Sequence, residues 1–197
     1  MTRRIVVVSG GLSEPSSTRL LADRLAAATV AGIPEAVVDV IELRPLAHDL
    51  ANQLLTGFAA GDLAEAQRKL AAADGVIAVT PVFSASYSGL FKTFFDVLET
   101  GTLTGKPVLL AATAGTARHS LVLDHAMRPL FAWLKALVVP TAVFAAAEDW
   151  GDVTEGAMAD RIGRAGRELA DLVNGRPTAV AHDAFADVPD FETLLRG

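Results

Sequence analysis

Thr80-Pro-Val-Phe-Ser-Ala-Ser-Tyr-Ser-Gly-Leu-Phe-Lys-Thr-Phe-Phe-Asp96 is the stretch that decides the fold. Just before it, Gly75-Val-Ile-Ala-Val-Thr80 is an apolar run that reads as a strand buried on both faces. Behind it, Leu90, Phe91, Phe94, Phe95 and Leu98 follow helical spacing. Strand, short loop and helix in that order place the loop at the carboxyl end of a sheet strand, where open α/β sheets bind ligands. Pro81 stiffens the loop, Ser84 and Ser86 give it hydroxyls, and Ser88-Gly89 opens the helix. Such a loop suits a flat ligand with polar edges. An ordinary βα turn reads the same way.

Toward the N-terminus, Arg4–Ser9 is a β-branched first strand, and Gly10–Thr18 is a loop. A helix starts near Ser16, carries Leu21, Leu25 and Ala28 on one face, and ends at Gly32-Ile33-Pro34. Ala36–Leu43 reads as a second strand, Pro45–Gly61 as a broken helix or excursion, and Asp62–Ala73 as a helix. Beyond the deciding stretch come a fourth strand at Pro107–Thr113 and a small-residue loop at Ala114–Arg118. His119–Leu137 reads as a helix interrupted at Pro129, Val138–Ala145 as a fifth strand, and Thr154–Asn174 as the last long helix. Five strands alternating with helices predict a doubly wound, three-layer α/β domain with a parallel sheet in the order 2-1-3-4-5. The domain spans residues 1–177, followed by a tail, 178–197, with a short amphipathic piece at Pro189–Leu195.

Half of the 197 residues are hydrophobic and 20% are charged, which suits a packed core. Cysteine is absent, so disulfides, thiol nucleophiles and Cys-based metal sites are excluded. The net charge of −6 argues against broad nucleic-acid binding, which requires a basic surface. Arg3-Arg4 and the apolar run after it begin like a signal peptide, but Ser9-Gly10-Gly11 ends the run too early. No stretch approaches the roughly 18 apolar residues of a membrane span. A soluble, cytoplasmic protein is the expectation.

Three loops should meet at the carboxyl edge of the sheet: Ser9–Thr18, Pro81–Ser88 and Thr113–His119. Ser16, Ser17 and Thr18 set three hydroxyls beside the free amides of a helix start, which is anion-site chemistry as well as capping chemistry. Gly-x-Gly-x-x-Gly, the P-loop and Gly-x-Ser-x-Gly are all missing, which removes support for a dinucleotide fingerprint, a P-loop and a hydrolase elbow. His48, His119, His125 and His182 show no metal-ligand spacing, so no metal is expected. His119 lies within reach of the third loop, and Trp150 reads as a seal at the end of the fifth strand. A mononucleotide with a planar head group fits the three loops together.

Ser9-Gly10-Gly11 through Pro15–Thr18, the run Thr80–Lys92 and the Thr113-Ala114-Gly115 turn with His119 resemble the NADPH-dependent FMN reductase family. Arg128-Pro129-Leu130 adds a likeness to reductases of two-component flavin monooxygenases. The resemblance implies a flavodoxin-like fold, FMN and NAD(P)H as cofactors, and hydride transfer from the nicotinamide to the flavin. It places the FMN phosphate on Ser16, Ser17 and Thr18, with Ser9 and Gly10 of the same loop also binding the cofactor. The ribityl chain and ring fall on Pro81, Val82, Phe83 and Ser86, and the pyrimidine end on Thr113, Ala114 and Gly115, with Ser84 and His119 also binding the cofactor from the second and third loops. No side-chain acid or base is required, so no catalytic residue is named. A homodimer or a pair of dimers, and a flavin-dependent monooxygenase as partner, are further implications. Two features depart from the family pattern. Ser13-Glu14 stands where an arginine is common, leaving the choice between NADPH and NADH open, and Phe83 replaces a frequent tyrosine. A quinone or azo reductase, a flavodoxin-like electron carrier and a binding module without flavin are the alternatives.

Overall fold

A computed structural model of the chain describes residues 2–152 and 156–176. The C-terminal tail at 178–197, the amphipathic piece within it and the Thr154 start of the last helix lie outside the described residues.

Among the described residues, six α-helices and seven strands follow one another: β1 (Arg3–Ser9), α1 (Ser17–Val30), β2 (Ala36–Glu42), α2 (Ala47–Thr56), α3 (Gly61–Ala71), β3 (Gly75–Phe83), β4 (Ser86–Tyr87), α4 (Gly89–Asp96), β5 (Pro107–Ala114), α5 (Arg128–Trp133), β6 (Leu137–Val138), β7 (Val143–Ala146) and α6 (Ala157–Asn174). The parallel core runs β2-β1-β3-β5, and β6 and β7 share the far side of β5. With β6 and β7 counted as one strand and β5 as the fourth, this is the expected 2-1-3-4-5 order.

Alternation along the strands divides the interior. Val6, Val8, Val76, Ala78, Val108 and Leu110 face α3, α4 and α5, where Phe91, Phe94, Phe95 and Phe131 form a fully buried aromatic group. Phe95 and Phe131 meet edge-on, with centroids 4.9 Å apart. Ile5, Val7, Ile77, Val79, Leu109 and Ala111 face α1 and α6. There the helices approach closely because Gly166 lies against Ala28; a Cβ at Gly166 would be 2.7 Å from the Ala28 carbonyl carbon. Trp150 packs on this second face, in agreement with a sealing role. Among the described residues no helix is long and apolar enough to cross a membrane.

Three expected elements are corrected. The fifth strand is broken at residues 139–142. Side chains satisfy the interrupted backbone there: Arg128 donates to the Val139 and Pro140 carbonyls, Arg161 to Ala142, and Glu168 accepts the Thr141 amide at 2.7 Å. The helix expected over His119–Leu137 is a 3₁₀ turn (Ala117–His119), a wide π turn (Leu123–Met127) and the short α5. Pro129 has no N–H for the His125 carbonyl, and the chain widens just before it. Finally, β3 runs on to Phe83 and folds back as β4, making a hairpin of what reads as a loop.

Candidate functional site

The site is built on the carboxyl ends of three adjacent strands. Their register sets Ser9 beside Val79 and Pro81 beside Thr113, so the three loops emerge side by side. Gly10 donates its amide to the Val79 carbonyl at 2.8 Å, tying the first loop to β3. The buried Gly10 has no room to spare, because a Cβ there would meet Phe91 at 3.3 Å and Pro81 at 3.5 Å.

The first loop ends in the start of α1. Ser16 is the N-cap, and its hydroxyl accepts from the Arg19 amide at 3.2 Å. Leu20 makes the first intrahelical bond, to the Ser16 carbonyl. The amides of Ser17 and Thr18 precede that bond, at the positive end of the helix dipole. Gly11 keeps this end clear, since a Cβ there would sit 2.3 Å from the Ser16 hydroxyl. Ser16 is half-buried and Ser17 exposed, whereas Thr18 is buried and turned inward, its hydroxyl 2.8 Å from that of Thr113. Two residues 95 apart thus join the first loop to the third inside the protein.

The second loop is stiff. Thr80 donates its hydroxyl proton to the Pro81 carbonyl at 2.9 Å and accepts the Ser88 amide at 3.0 Å. Ser88 in turn caps α4 by accepting from the Phe91 amide. Val82 pairs with Tyr87 and Phe83 with Ser86, and the tip between them, Ser84-Ala85, has both φ angles positive, at 48° and 67°. A two-residue hairpin loop of that shape is a type I′ turn, normally built with Asn and Gly. Pro81, Val82 and Ser86 are half-buried, and Phe83 and Ser84 stand exposed along the rim. Beyond Thr113 the chain surfaces through Ala114, Gly115 and the exposed His119.

The structure therefore gathers the three predicted groups at one edge and gives them unequal roles. Ser16 and Ser17 stand with the first amides of α1 at an open helix start; Pro81–Ser86 forms a raised apolar and hydroxyl ridge; Thr18 and Thr113 form a buried pin between loops. Sequence reading missed Thr80 as the organiser of the second loop and Glu42 at the end of β2. Register puts Glu42 beside Ser9, where its carboxylate receives Arg19 at 3.2 Å. A cleft of about 1010 Å³ runs between α4 and α5, from Tyr87 and Lys92 to His125 and Trp133, and none of the predicted site residues lines it. Among the described residues no group of three or more His, Asp or Glu side chains could hold a metal.

Comparison with known proteins places this edge in context. Residues 3–151 match the family model for NADPH-dependent FMN reductase. The chain is 37% identical over 177 residues to the FMN reductase (NADPH) of Pseudomonas aeruginosa, covering 88% of this chain and 94% of that protein. It is 38% identical over 163 residues to the NADH-dependent FMN reductase SfnF of Pseudomonas putida, covering 82% and 88%. Among solved structures, an oxidoreductase from Corynebacterium diphtheriae superimposes with a TM-score of 0.84 at 47% identity, covering 89% of this chain and 99% of that one.

Proposed function

Because the chain belongs to the NADPH-dependent FMN reductase family, we propose that it transfers a hydride from NAD(P)H to FMN at the edge formed by its three loops. The observation that carries this reading is the open start of α1 beside the ridge at Pro81–Ser86, both at the carboxyl ends of adjacent parallel strands. The donor set fits FMN. Ser16, Ser17 and the first-turn amides are neutral donors for a phosphate, and Gly11, where a Cβ would sit 2.3 Å from the Ser16 hydroxyl, lets the first loop close on this helix start. The flavin ring, once bound, supplies the hydride-accepting chemistry.

The chain's own residues bind and orient. Pro81, Val82 and Phe83 offer an apolar edge for the ring, with Ser84 and Ser86 within the same hairpin to meet ribityl hydroxyls. Ala114 and Gly115, with His119 after them, offer backbone donors near the pyrimidine end, where negative charge grows on reduction. Thr18 and Thr113 set the distance between phosphate and pyrimidine ends, and no side-chain acid or base is assigned.

The same proposal includes a cytoplasmic setting, a monooxygenase as consumer of the reduced flavin, and assembly as a dimer or pair of dimers. Assembly is supported by Trp133, Leu121 and Leu137, which are 84%, 62% and 41% exposed along one segment. Sedimentation of wild type and Trp133→Glu tests it: a lighter species is expected for the variant, and equal mass for both would remove the support. An anaerobic titration of protein and FMN with NADH and with NADPH tests the activity. Protein-dependent bleaching of the flavin is expected, the faster nucleotide identifying the donor. Flavin bound yet left oxidised would make the protein an electron carrier, and no flavin bound would overturn the reading.

A further inference from the structure

The cation closest in sequence to the start of α1 is bound to two carboxylates. Arg19 occupies the third position of α1, from which a helical side chain leans back toward the N-terminus. Its guanidinium goes elsewhere: Nε donates to Asp23 at 2.8 Å, one turn further along the helix, and Nη1 lies 3.2 Å from Glu42. These two carboxylates raise the Arg19 pKa, Asp23 through its hydrogen bond most of all. The other guanidinium paired with this loop, Arg44, lies 2.9 Å from Glu14. Arg19 and Arg44 are thus both matched by acids, and Glu42 adds a negative charge next to Ser9.

We propose that Asp23 and Glu42 are positioning residues that hold Arg19 off the flavin phosphate, so that the phosphate is bound by neutral donors alone. The inference rests on the FMN reading above and goes beyond it by assigning a strength-setting role to two residues that touch no flavin. A phosphate carries roughly two negative charges at neutral pH. Held by hydroxyls and amides without a cation, it is bound less tightly than a phosphate paired with a guanidinium, and FMN exchanges more readily. Release of Arg19 supplies the missing charge-assisted hydrogen bond.

The test is the affinity of FMN and of riboflavin, read by quenching of flavin fluorescence, in wild type, R19M, D23A/E42Q and R19M/D23A/E42Q. The two single variants D23A and E42Q serve as second carriers of the same question, since both side chains are on the surface. In R19M, FMN affinity is expected to change by less than about twofold, because that guanidinium does not touch the phosphate. In D23A/E42Q, FMN should bind about fivefold to tenfold more tightly and become salt-sensitive, with riboflavin unchanged. The triple variant should lose most of that gain. A tenfold weakening in R19M would overturn the proposal by placing Arg19 on the phosphate already. A gain that survives in the triple variant would overturn it in favour of simple charge repulsion, and equal tightening of riboflavin would do so by removing the phosphate from the effect. Failure of wild type to bind either flavin would bring down the FMN reading itself.

Discussion

α1 and α4 begin at the same edge of the sheet, each on a serine that accepts a hydrogen bond from the third helical amide, Ser16 from Arg19 at 3.2 Å and Ser88 from Phe91 at 3.1 Å. Their surroundings differ. Ser88 is 1% exposed, its own amide is taken by Thr80, and the aromatic group built on Phe91 follows at once. Ser16 is half-exposed, has Gly11 in place of a side chain beside it, and is followed by the exposed Ser17. One cap is closed and structural; the other is left open. Capping chemistry and ligand chemistry use the same atoms, so the neighbours decide which of the two a serine performs.

The sharpest way to break this contrast is on the closed side. Thr80→Val removes the acceptor of the buried Ser88 amide and should cost about 2 kcal/mol of stability. A urea titration would show it as a lower midpoint at unchanged slope; a loss below about 0.5 kcal/mol would mean that this cap is no more closed than the other. On the open side, Ser16→Ala should weaken FMN roughly tenfold, with riboflavin unaffected and stability down by no more than about 1 kcal/mol. Equal losses for both flavins would take the phosphate away from α1.

The pin between the loops comes next. Thr18→Val and Thr113→Val should each cost about 1 kcal/mol, with a coupling energy of similar size in the double variant. Additive losses in denaturation would show that the two hydroxyls do not meet. The smallest effect belongs to the hairpin tip, where Ala85→Gly relieves a left-handed alanine and should raise stability by a few tenths to about 1 kcal/mol. A fall in melting temperature would mean that the turn is not under strain.

Much of this architecture can be read from residues alone, because burial on two faces writes itself as Ile5–Val8, Val76–Val79 and Val108–Ala112. The carboxyl-edge position of the three loops follows from strand order, and the sequence places Ser16 and Ser17 there. The remainder depends on pairs distant in the chain. Thr18 reads as one more hydroxyl for an anion until Thr113, 95 residues away, is seen to take it. No neighbour of Arg19 in the sequence announces Glu42, and only the β1–β2 register brings the two together. The hairpin at Ser84-Ala85 lacks the Asn-Gly signal that announces such turns. Pro129 marks a disturbance in the sequence, but the fifth strand reads as continuous through Pro140, and its split depends on Arg128, Arg161 and Glu168 arriving from helices to satisfy the backbone.

That split has a consequence for how the protein behaves in a crowded solution. The outermost strand of a sheet presents unpaired amides and carbonyls on which a foreign strand can grow, and long flat edges seed aggregates. Among the described residues the outer border is two short pieces, and the peptide groups between them are already bonded to side chains of α5 and α6. Proline at 140 offers no amide at all. An incoming chain finds no continuous ladder to extend, and this flank of the molecule resists amyloid-like stacking by the same contacts that hold its last helix in place.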